Sequence, residues 1–128
     1  MSDKVIVTNW TALKKKYGSK VSEIDTAIKT MIAADKARGL DCILIRIDNA
    51  ADMKKVGGKA VISAGNQKQN KNAFDKIDET LSPDYILILG ATDVIPHQSL
   101  NNPVYEEGGD DDDKYAHSDL PYACDAVY

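Results

Sequence analysis

Two cysteines and two histidines are the side chains with which this chain could carry out nucleophilic chemistry. A cysteine becomes a useful nucleophile when a base, most often histidine, lies within hydrogen-bonding distance of its thiol. Cys42 lies in an apolar run, where a thiol behaves as a small hydrophobic group. His117 precedes Cys124 by seven residues, and an extended stretch of that length spans about 20 Å or more. We therefore predict that both cysteines are reduced, non-catalytic thiols.

Asp93 is the best-placed polar residue in the first hundred positions. It follows an apolar run that ends at Gly90, and open α/β sheets bind ligands in loops at the carboxyl ends of their strands. The alternative, which turn chemistry favours, is that the Asp93 carboxylate caps backbone amides of its own loop. His97 is predicted to be an exposed loop residue rather than a ligand.

An acidic stretch follows the last of these loops. We expect no cofactor. The alternative is calcium, which prefers several oxygen ligands, and this stretch supplies the candidates for such a site. No EF-hand spacing is present, and adjacent aspartates cannot easily point at one ion. We therefore predict a solvated loop in preference to a calcium site. The acidic residues are Glu106, Glu107, Asp110, Asp111, Asp112 and Asp113.

The net charge of −4 is unevenly distributed along the chain. Residues 1–102 carry 15 basic and 12 acidic side chains, a balance of +3, whereas residues 103–128 carry one basic and eight acidic side chains, a balance of −7. The small basic excess does not form the face expected of a nucleic-acid binder. No leader pattern or membrane-spanning apolar run is present. The sequence therefore predicts a soluble, cytoplasmic protein without a nucleic-acid or membrane partner.

The apolar pattern predicts the elements that must position these side chains. Short β-branched runs are typical of strands, and apolar residues at three- and four-residue steps are typical of helices. The predicted strands are 4–8, 42–47 and 85–89. The predicted helices are 10–17, 19–38, 49–56 and a segment containing Phe74, Ile77 and Leu81 that ends before Ser82-Pro83. Thr8 or Asn9 is the N-cap candidate of the first helix. The second helix is predicted by an apolar stripe of Val21, Ile24, Ile28, Met31 and Ile32.

This order predicts an α/β fold. Strands that alternate with helices form right-handed crossovers and a mostly parallel sheet. We expect a three-layer α/β/α arrangement with about four strands, caspase-like or Rossmann-like, in one domain over 1–128. Residues 1–96 would form the ordered core, 97–121 a long acidic loop, and 122–128 the start of a further strand.

Four motifs occur in order along the chain. They are Ala37-Arg38-Gly39-Leu40, then Asp84-Tyr85-Ile86-Leu87-Ile88-Leu89-Gly90, then Asp93-Val94-Ile95-Pro96, and finally Ser118-Asp119-Leu120-Pro121-Tyr122. The set resembles the gingipain family of cysteine peptidases, within the caspase-fold superfamily, over roughly residues 25–128. Two departures are visible. The family's Gly-Asp after the strand is here Gly90-Ala91-Thr92-Asp93, and the acidic insertion at 106–113 has no counterpart in the family pattern.

The resemblance implies a supporting role rather than a catalytic one. Family members cut peptide bonds with a His–Cys dyad, whose histidine lies in a Gly-His-Gly context, and neither motif occurs in this sequence. The chain is therefore expected to be a truncated N-terminal half, inactive alone, whose partner is the missing C-terminal catalytic half or a second copy of the chain. By the same resemblance, Asp119 and Tyr122 would lie near the edge of the substrate cleft.

Two other readings stay open. The first is a free-standing flavodoxin-like or receiver-like binding module that uses Asp93 and the acidic loop to hold a metal or a partner. A receiver needs an acidic pair after its first strand, and Thr8-Asn9 supplies none. The second is a complete small hydrolase, which the absence of a nucleophile with an adjacent base disfavours.

Overall fold

The computed structural model describes residues 2–124, and its centre is a three-stranded parallel sheet. The strand order is β2-β1-β3, so the first strand of the chain lies in the middle. Lys4 is opposite Cys42 on one side and Tyr85 on the other, which starts all three strands at the same level. The predicted α/β class and parallel sheet are confirmed. The strands are β1 (Lys4–Thr8), β2 (Cys42–Arg46) and β3 (Tyr85–Ile88).

Three of the four α-helices begin at an asparagine. In each case the Asn side-chain oxygen accepts a hydrogen bond from the backbone N–H three residues later, which satisfies one of the unpaired donors of the first turn. These caps are Asn9, Asn49 and Asn66, and each ends a strand or loop at a defined point. The helices are α1 (Trp10–Tyr17), α2 (Val21–Ala37), α3 (Ala50–Lys55) and α4 (Gln67–Leu81).

Alternate residues of the strands enter two different buried clusters. Val5 and Val7 of β1 belong to a larger cluster with Phe74 and Ile77 of α4. Ile6 belongs to a smaller cluster that includes Ile28 of α2 and Cys42. Successive side chains of a strand point to opposite faces of a sheet, so β1 is covered on both faces by helices. This explains why its sequence is a continuous apolar run rather than an alternating one.

The segment after Pro96 differs from its prediction. Within 97–121, expected to be a long loop, two short strands form an antiparallel pair, β4 (Gln98–Asn101) and β5 (Tyr115–Ser118). Their side chains are mostly polar, so no apolar alternation marked them. Among residues 2–124 the parallel sheet has three strands instead of about four. Residues 120–123 form a 3₁₀ turn, and the rest of the predicted further strand, 125–128, lies outside the described residues.

Gly90 sets the direction of the chain as it leaves β3. Its φ is +132°, a backbone conformation that side-chain-bearing residues rarely adopt. A Cβ at this position would also lie 2.6 Å from Val94 Cβ. The glycine thus permits a tight turn that buries Val94 and Ile95 and leaves Asp93 exposed at the end of the sheet.

Candidate functional site

The loops that follow β1, β2 and β3 meet around a cavity at the carboxyl ends of the strands. Each loop contributes a polar residue, Asn9, Asp48 and Asp93 in turn. The cavity has a volume of about 650 Å³, which is within the size range of small-molecule sites. It lies where open α/β sheets bind ligands. Its lining residues are Asn9, Thr11, Ala12, Lys15, Lys16, Asp48, Ala60, Val61, Ile62, Ala64 and Asp93.

Asp48 joins the second loop to the start of α1. Its Oδ1 accepts a hydrogen bond from the Trp10 backbone N–H at 2.7 Å. Its Oδ2 accepts bonds from the Thr11 backbone N–H at 2.9 Å and from the Thr11 hydroxyl at 2.6 Å. A carboxylate at a helix N-terminus is stabilised by the helix dipole as well as by these donors. Asp48 therefore acts as a capping group, and sequence reasoning had not selected it, because its partners are 37 and 38 residues away.

Asp93 forms an ion pair with Lys16 near the end of α1. The two Asp93 oxygens lie 3.0 and 2.9 Å from Lys16 Nζ. The hydrogen bond from Lys16 lowers the pKa of Asp93, and the same bond raises the pKa of Lys16. The favoured prediction was that Asp93 caps backbone amides of its own loop, and its own backbone N–H does contribute to the lowered pKa. The side-chain partner, Lys16, belongs to another element. Asp93 does lie at the carboxyl edge, as its position after the strand indicated.

Asn9 combines a structural contact with an unused donor. Its Oδ1 accepts the hydrogen bond from Ala12 N at 3.0 Å that caps α1. The residue is only 2% exposed and lines the cavity. Across residues 2–124 its Nδ2 makes no hydrogen bond. Among residues 2–124 the fully buried side-chain atom without a hydrogen-bond partner is Asn70 Oδ1, so the Asn9 donor is not sealed in the core but reaches the cavity that the residue lines. A donor of this kind can contact a ligand or water there. The N-cap role was suggested by the sequence, whereas the free donor was not.

Tyr122 links two of the quoted motifs to α4. Its hydroxyl donates to the Pro96 carbonyl and accepts from Gln98 Nε2 at 2.9 Å. Its ring packs on Phe74 with centroids 4.2 Å apart. The residue is 5% exposed, so its ring and hydroxyl serve to attach residues 120–123 to the core.

Asp119 and His97 lie together at the surface. Asp119 Oδ1 is 3.6 Å from His97 Nε2, and both side chains are substantially exposed. An exposed pair of this kind contributes little to stability. Asp119 also borders a groove of about 410 Å³ beside β3. The structure thus separates Asp93, in the carboxyl-end cavity, from Asp119 and Tyr122, which border the β3 groove.

The aspartates of the acidic run are spread over the tip between β4 and β5. Asp111 accepts a hydrogen bond from Asp113 N at 3.1 Å, and its carbonyl accepts one from Glu106 N. Throughout the described part of the chain, no group of three or more histidine, cysteine or acidic side chains is arranged to hold a metal ion. The metal candidates are Asp110, Asp111, Asp112 and Asp113, and Asp110, Asp112 and Asp113 are exposed.

The two thiols have opposite environments. Cys42 is buried, and burial raises its pKa, so the reactive thiolate is disfavoured. Cys124 is exposed, and its Sγ lies 4.0 Å from the Pro121 carbonyl. Neither cysteine forms a disulfide within residues 2–124. The hydrogen-bond partners of the two residues there are Pro121 for Cys124 and Ser99 for His117, so the thiol and the imidazole are not bonded to each other.

His117 instead contacts a serine that the sequence did not single out. Ser99 Oγ lies 3.2 Å from His117 Nδ1 across the β4–β5 pair and accepts a hydrogen bond from Gln67 Nε2 at 3.0 Å. Ser99 N also donates to Gln67 Oε1 at 2.8 Å. The histidine is exposed, and the pair lies outside both the carboxyl-end cavity and the β3 groove. We therefore regard it as an attachment of the hairpin to α4. The cross-strand register brings these residues together, and no sequence signal predicts it.

Comparisons with protein-family models, with curated proteins and with solved structures found no match. No helix formed by residues 2–124 has both the length and the apolar character needed to cross a membrane. The functional conclusion therefore depends on the geometry and on the ordered motifs.

Proposed function

We propose that this chain is the N-terminal supporting subdomain of a gingipain-like, caspase-fold cysteine endopeptidase. In this proposal the chain forms a three-layer α/β/α unit and carries none of the catalytic residues. The catalytic histidine and cysteine belong to a second half, which packs against this one. The observation that carries the proposal is the contact between Tyr122 and Pro96.

That contact is informative because it joins motifs that are distant in sequence. Pro96 ends the Asp-Val-Ile-Pro motif and Tyr122 ends the Ser-Asp-x-x-Tyr motif, 26 residues later. Gly90, the last residue of the strand motif, packs against Val94 of the second motif. Three of the four motifs therefore form one contiguous structural unit, as expected of a set that specifies a fold rather than a chance series of short matches.

The outer edge of β3 supports a partner on this side of the sheet. Among residues 2–124, β3 pairs only with β1. The groove along its other edge is bordered by Ile86 and Ile88, which are partly exposed, and by Leu120, which is 65% exposed. An unpaired strand edge with apolar neighbours favours the addition of another strand. In our proposal, the catalytic half supplies it.

The test uses the product of the gene, including any polypeptide encoded after codon 128. We expect a Gly-His-Gly segment and a later cysteine in that polypeptide, and peptidase activity that thiol-alkylating reagents abolish. Replacement of Cys42 by Ala together with Cys124→Ser should leave the activity in place, because neither thiol is the nucleophile. Loss of activity in Cys124→Ser, or a product without the second half, would contradict the proposal.

The contribution of the β3 edge can be separated from folding with a matched pair of variants. Leu120→Lys introduces a charge in the groove, whereas Val104→Lys introduces the same charge at a residue that is 67% exposed and does not line this groove. In the two-part protein, Leu120→Lys should weaken association of the halves and lower activity, and Val104→Lys should not. Equal effects of both substitutions would exclude this edge as the docking surface.

A second candidate is a free-standing flavodoxin-like binding module. The cavity at the carboxyl edge favours it, since such folds bind ligands there. The sequence-based version of this alternative assigns metal binding to Asp93 and the acidic loop. Calorimetric titration with calcium and magnesium tests that form, because a metal-binding module should release or absorb heat and a peptidase half should show almost none.

A further inference from the structure

We propose that the carboxyl-edge cavity binds a small organic anion, a carboxylate or phosphate group attached to a short apolar body. This inference concerns the residues of the cavity alone, and it holds for either function considered above. Two side-chain donors that have no partner within residues 2–124, Asn9 Nδ2 and Lys15 Nζ, would contact the anionic group.

Both carboxylates of the cavity are already bound to hydrogen-bond donors of the chain. Asp48 accepts three hydrogen bonds from the start of α1, from Trp10 and Thr11. Asp93 is paired with Lys16 at 2.9–3.0 Å. Each negative charge therefore already has its own donors, and neither requires a cationic ligand.

Two side-chain donors of the cavity remain without a partner in the described residues. Asn9 is 2% exposed, and in the described chain its Nδ2 has no acceptor. Lys15 also lines the cavity, and it forms no ion pair or hydrogen bond within residues 2–124. An amide donor and an ammonium group at one cavity favour a ligand that supplies acceptor oxygens with negative charge.

The rest of the cavity wall is formed by small and aliphatic side chains. Ala12, Ala60, Val61 and Ala64 line the cavity, together with Ile62, whose side chain is 91% exposed. The cavity volume of about 650 Å³ is larger than an inorganic anion needs. A polar end next to an apolar wall is the usual composition of a site for an organic molecule. The ligand should thus carry an apolar body in addition to its anionic group.

The experiment titrates the purified chain with acetate, butanoate, hexanoate, butyl phosphate and the neutral analogue butanamide, at constant ionic strength. The readout is the ¹⁵N–¹H spectrum, in which the Asn9 side-chain NH₂ signals report directly on the proposed contact. Binding should tighten from acetate to hexanoate, by up to about fourfold for each methylene that becomes buried. Butanamide should bind at least about tenfold more weakly than butanoate, because it lacks the charge. Comparison of butyl phosphate with butanoate decides which anionic group the site prefers.

Two variants and one control test the donors. Asn9→Asp keeps the side-chain oxygen that caps α1 but removes the amide donor, and Lys15→Gln removes the charge at an exposed position where folding is not at risk. Both should weaken butanoate binding, Asn9→Asp by at least about tenfold. Lys14→Gln changes an exposed lysine of the same helix that does not line the cavity, and it should leave binding unchanged.

The titrations can either support or overturn the proposed anion site. Saturable shifts at Asn9 that disappear in Lys15→Gln and persist in Lys14→Gln would support the site. The inference is overturned if no saturable shifts occur with any anion, if butanamide binds as well as butanoate, or if Lys14→Gln and Lys15→Gln weaken binding equally. The last result would indicate nonspecific attraction to a basic helix.

Discussion

Residues 2–96 and residues 97–124 are stabilised in different ways. The first region supplies nearly all of the two buried clusters, through β1, β2 and the helices around them, and the second region adds Tyr122 to the larger one. The second region buries few side chains and is attached to α4 at three positions. Gln67 bonds Ser99, Lys71 donates to the Cys124 carbonyl at 2.7 Å, and Phe74 packs on Tyr122.

The three attachment residues of α4 form one stripe. Positions 67, 71 and 74 are separated by four and three residues, which places them on the same face of a helix. The stability of the first region therefore comes mainly from hydrophobic burial, to which side chains along the whole of residues 2–96 contribute. The second depends on a few specific contacts, each of which a single substitution can remove. Substitutions in the two regions should therefore change stability by different amounts.

The largest effect is expected for a matched pair of isoleucines. Ile45 of β2 is 1% exposed, whereas Ile62 is 91% exposed. Ile45→Ala should lower the free energy of unfolding by about 2–5 kcal/mol, through lost burial and the cavity it creates. Ile62→Ala should change it by less than about 0.5 kcal/mol. Urea unfolding followed by Trp10 fluorescence measures both, and similar losses would refute the assignment of the core.

A smaller effect is expected when a glycine with positive φ is replaced. Gly90→Ala places a Cβ 2.6 Å from Val94 in addition to the strained φ, whereas a Cβ at Gly108, whose φ is +76°, meets nothing within 4 Å. Gly90→Ala should cost about 2–4 kcal/mol from strain and overpacking combined. Gly108→Ala should cost about 1–2 kcal/mol, and mainly within the hairpin tip. Thermal unfolding compares the two, and a larger loss for Gly108→Ala would contradict the turn geometry.

The attachment of the second region is tested by Tyr122→Phe. Removal of the hydroxyl takes a donor from the Pro96 carbonyl and an acceptor from Gln98, at a cost of about 1–3 kcal/mol. The loss should be local, so hydrogen exchange of the β4 and β5 amides should accelerate more than that of β1. Tyr115→Phe is the control, since Tyr115 is 50% exposed. Uniform acceleration of both regions would show that they unfold as one unit.

The smallest effect concerns an acid-sensitive ion pair of the first region. Lys4, 2.9 Å away, and Arg38 lower the pKa of Asp35 from its usual 3.8 to about 2. Because the folded-state pKa is the lower one, this stabilisation is fully present above about pH 4. It is lost as the pH falls toward 2. Asp35→Asn should remove that part of the pH dependence of unfolding, and Asp93→Asn, at an exposed pair, should alter it less.

Much of the first region could be predicted from its sequence. The apolar runs predicted three strands near their observed bounds, and the stripe from Val21 to Ile32 predicted α2. The asparagine at the end of β1 suggested the start of α1. These features are visible in the sequence because apolar runs, helical periodicity and capping residues are patterns among residues that are near in the chain. The β4–β5 pair was missed because polar strands show no apolar alternation, and because the Gln67 contacts that hold it to α4 join residues about 30 positions apart.

The candidate site was predicted only in part. Position after a strand correctly placed Asp93 at the carboxyl edge, and the Asn9 cap was visible as an N-cap residue. Their partners were not predictable. Lys16 and Asp93 are 77 residues apart, and Asp48 reaches α1 from the next strand, so only the packed fold brings these charges together.

The sequence by itself determined the α/β class and the order of the helices and strands as far as Pro96. Periodicity and capping specify such features because they act between residues that are near in the chain. Tertiary structure alone decided which charges are paired, which donor of Asn9 stays unused, and how residues 97–124 attach to α4. Those outcomes depend on distances between segments far apart in sequence, which chain folding sets and no local pattern encodes.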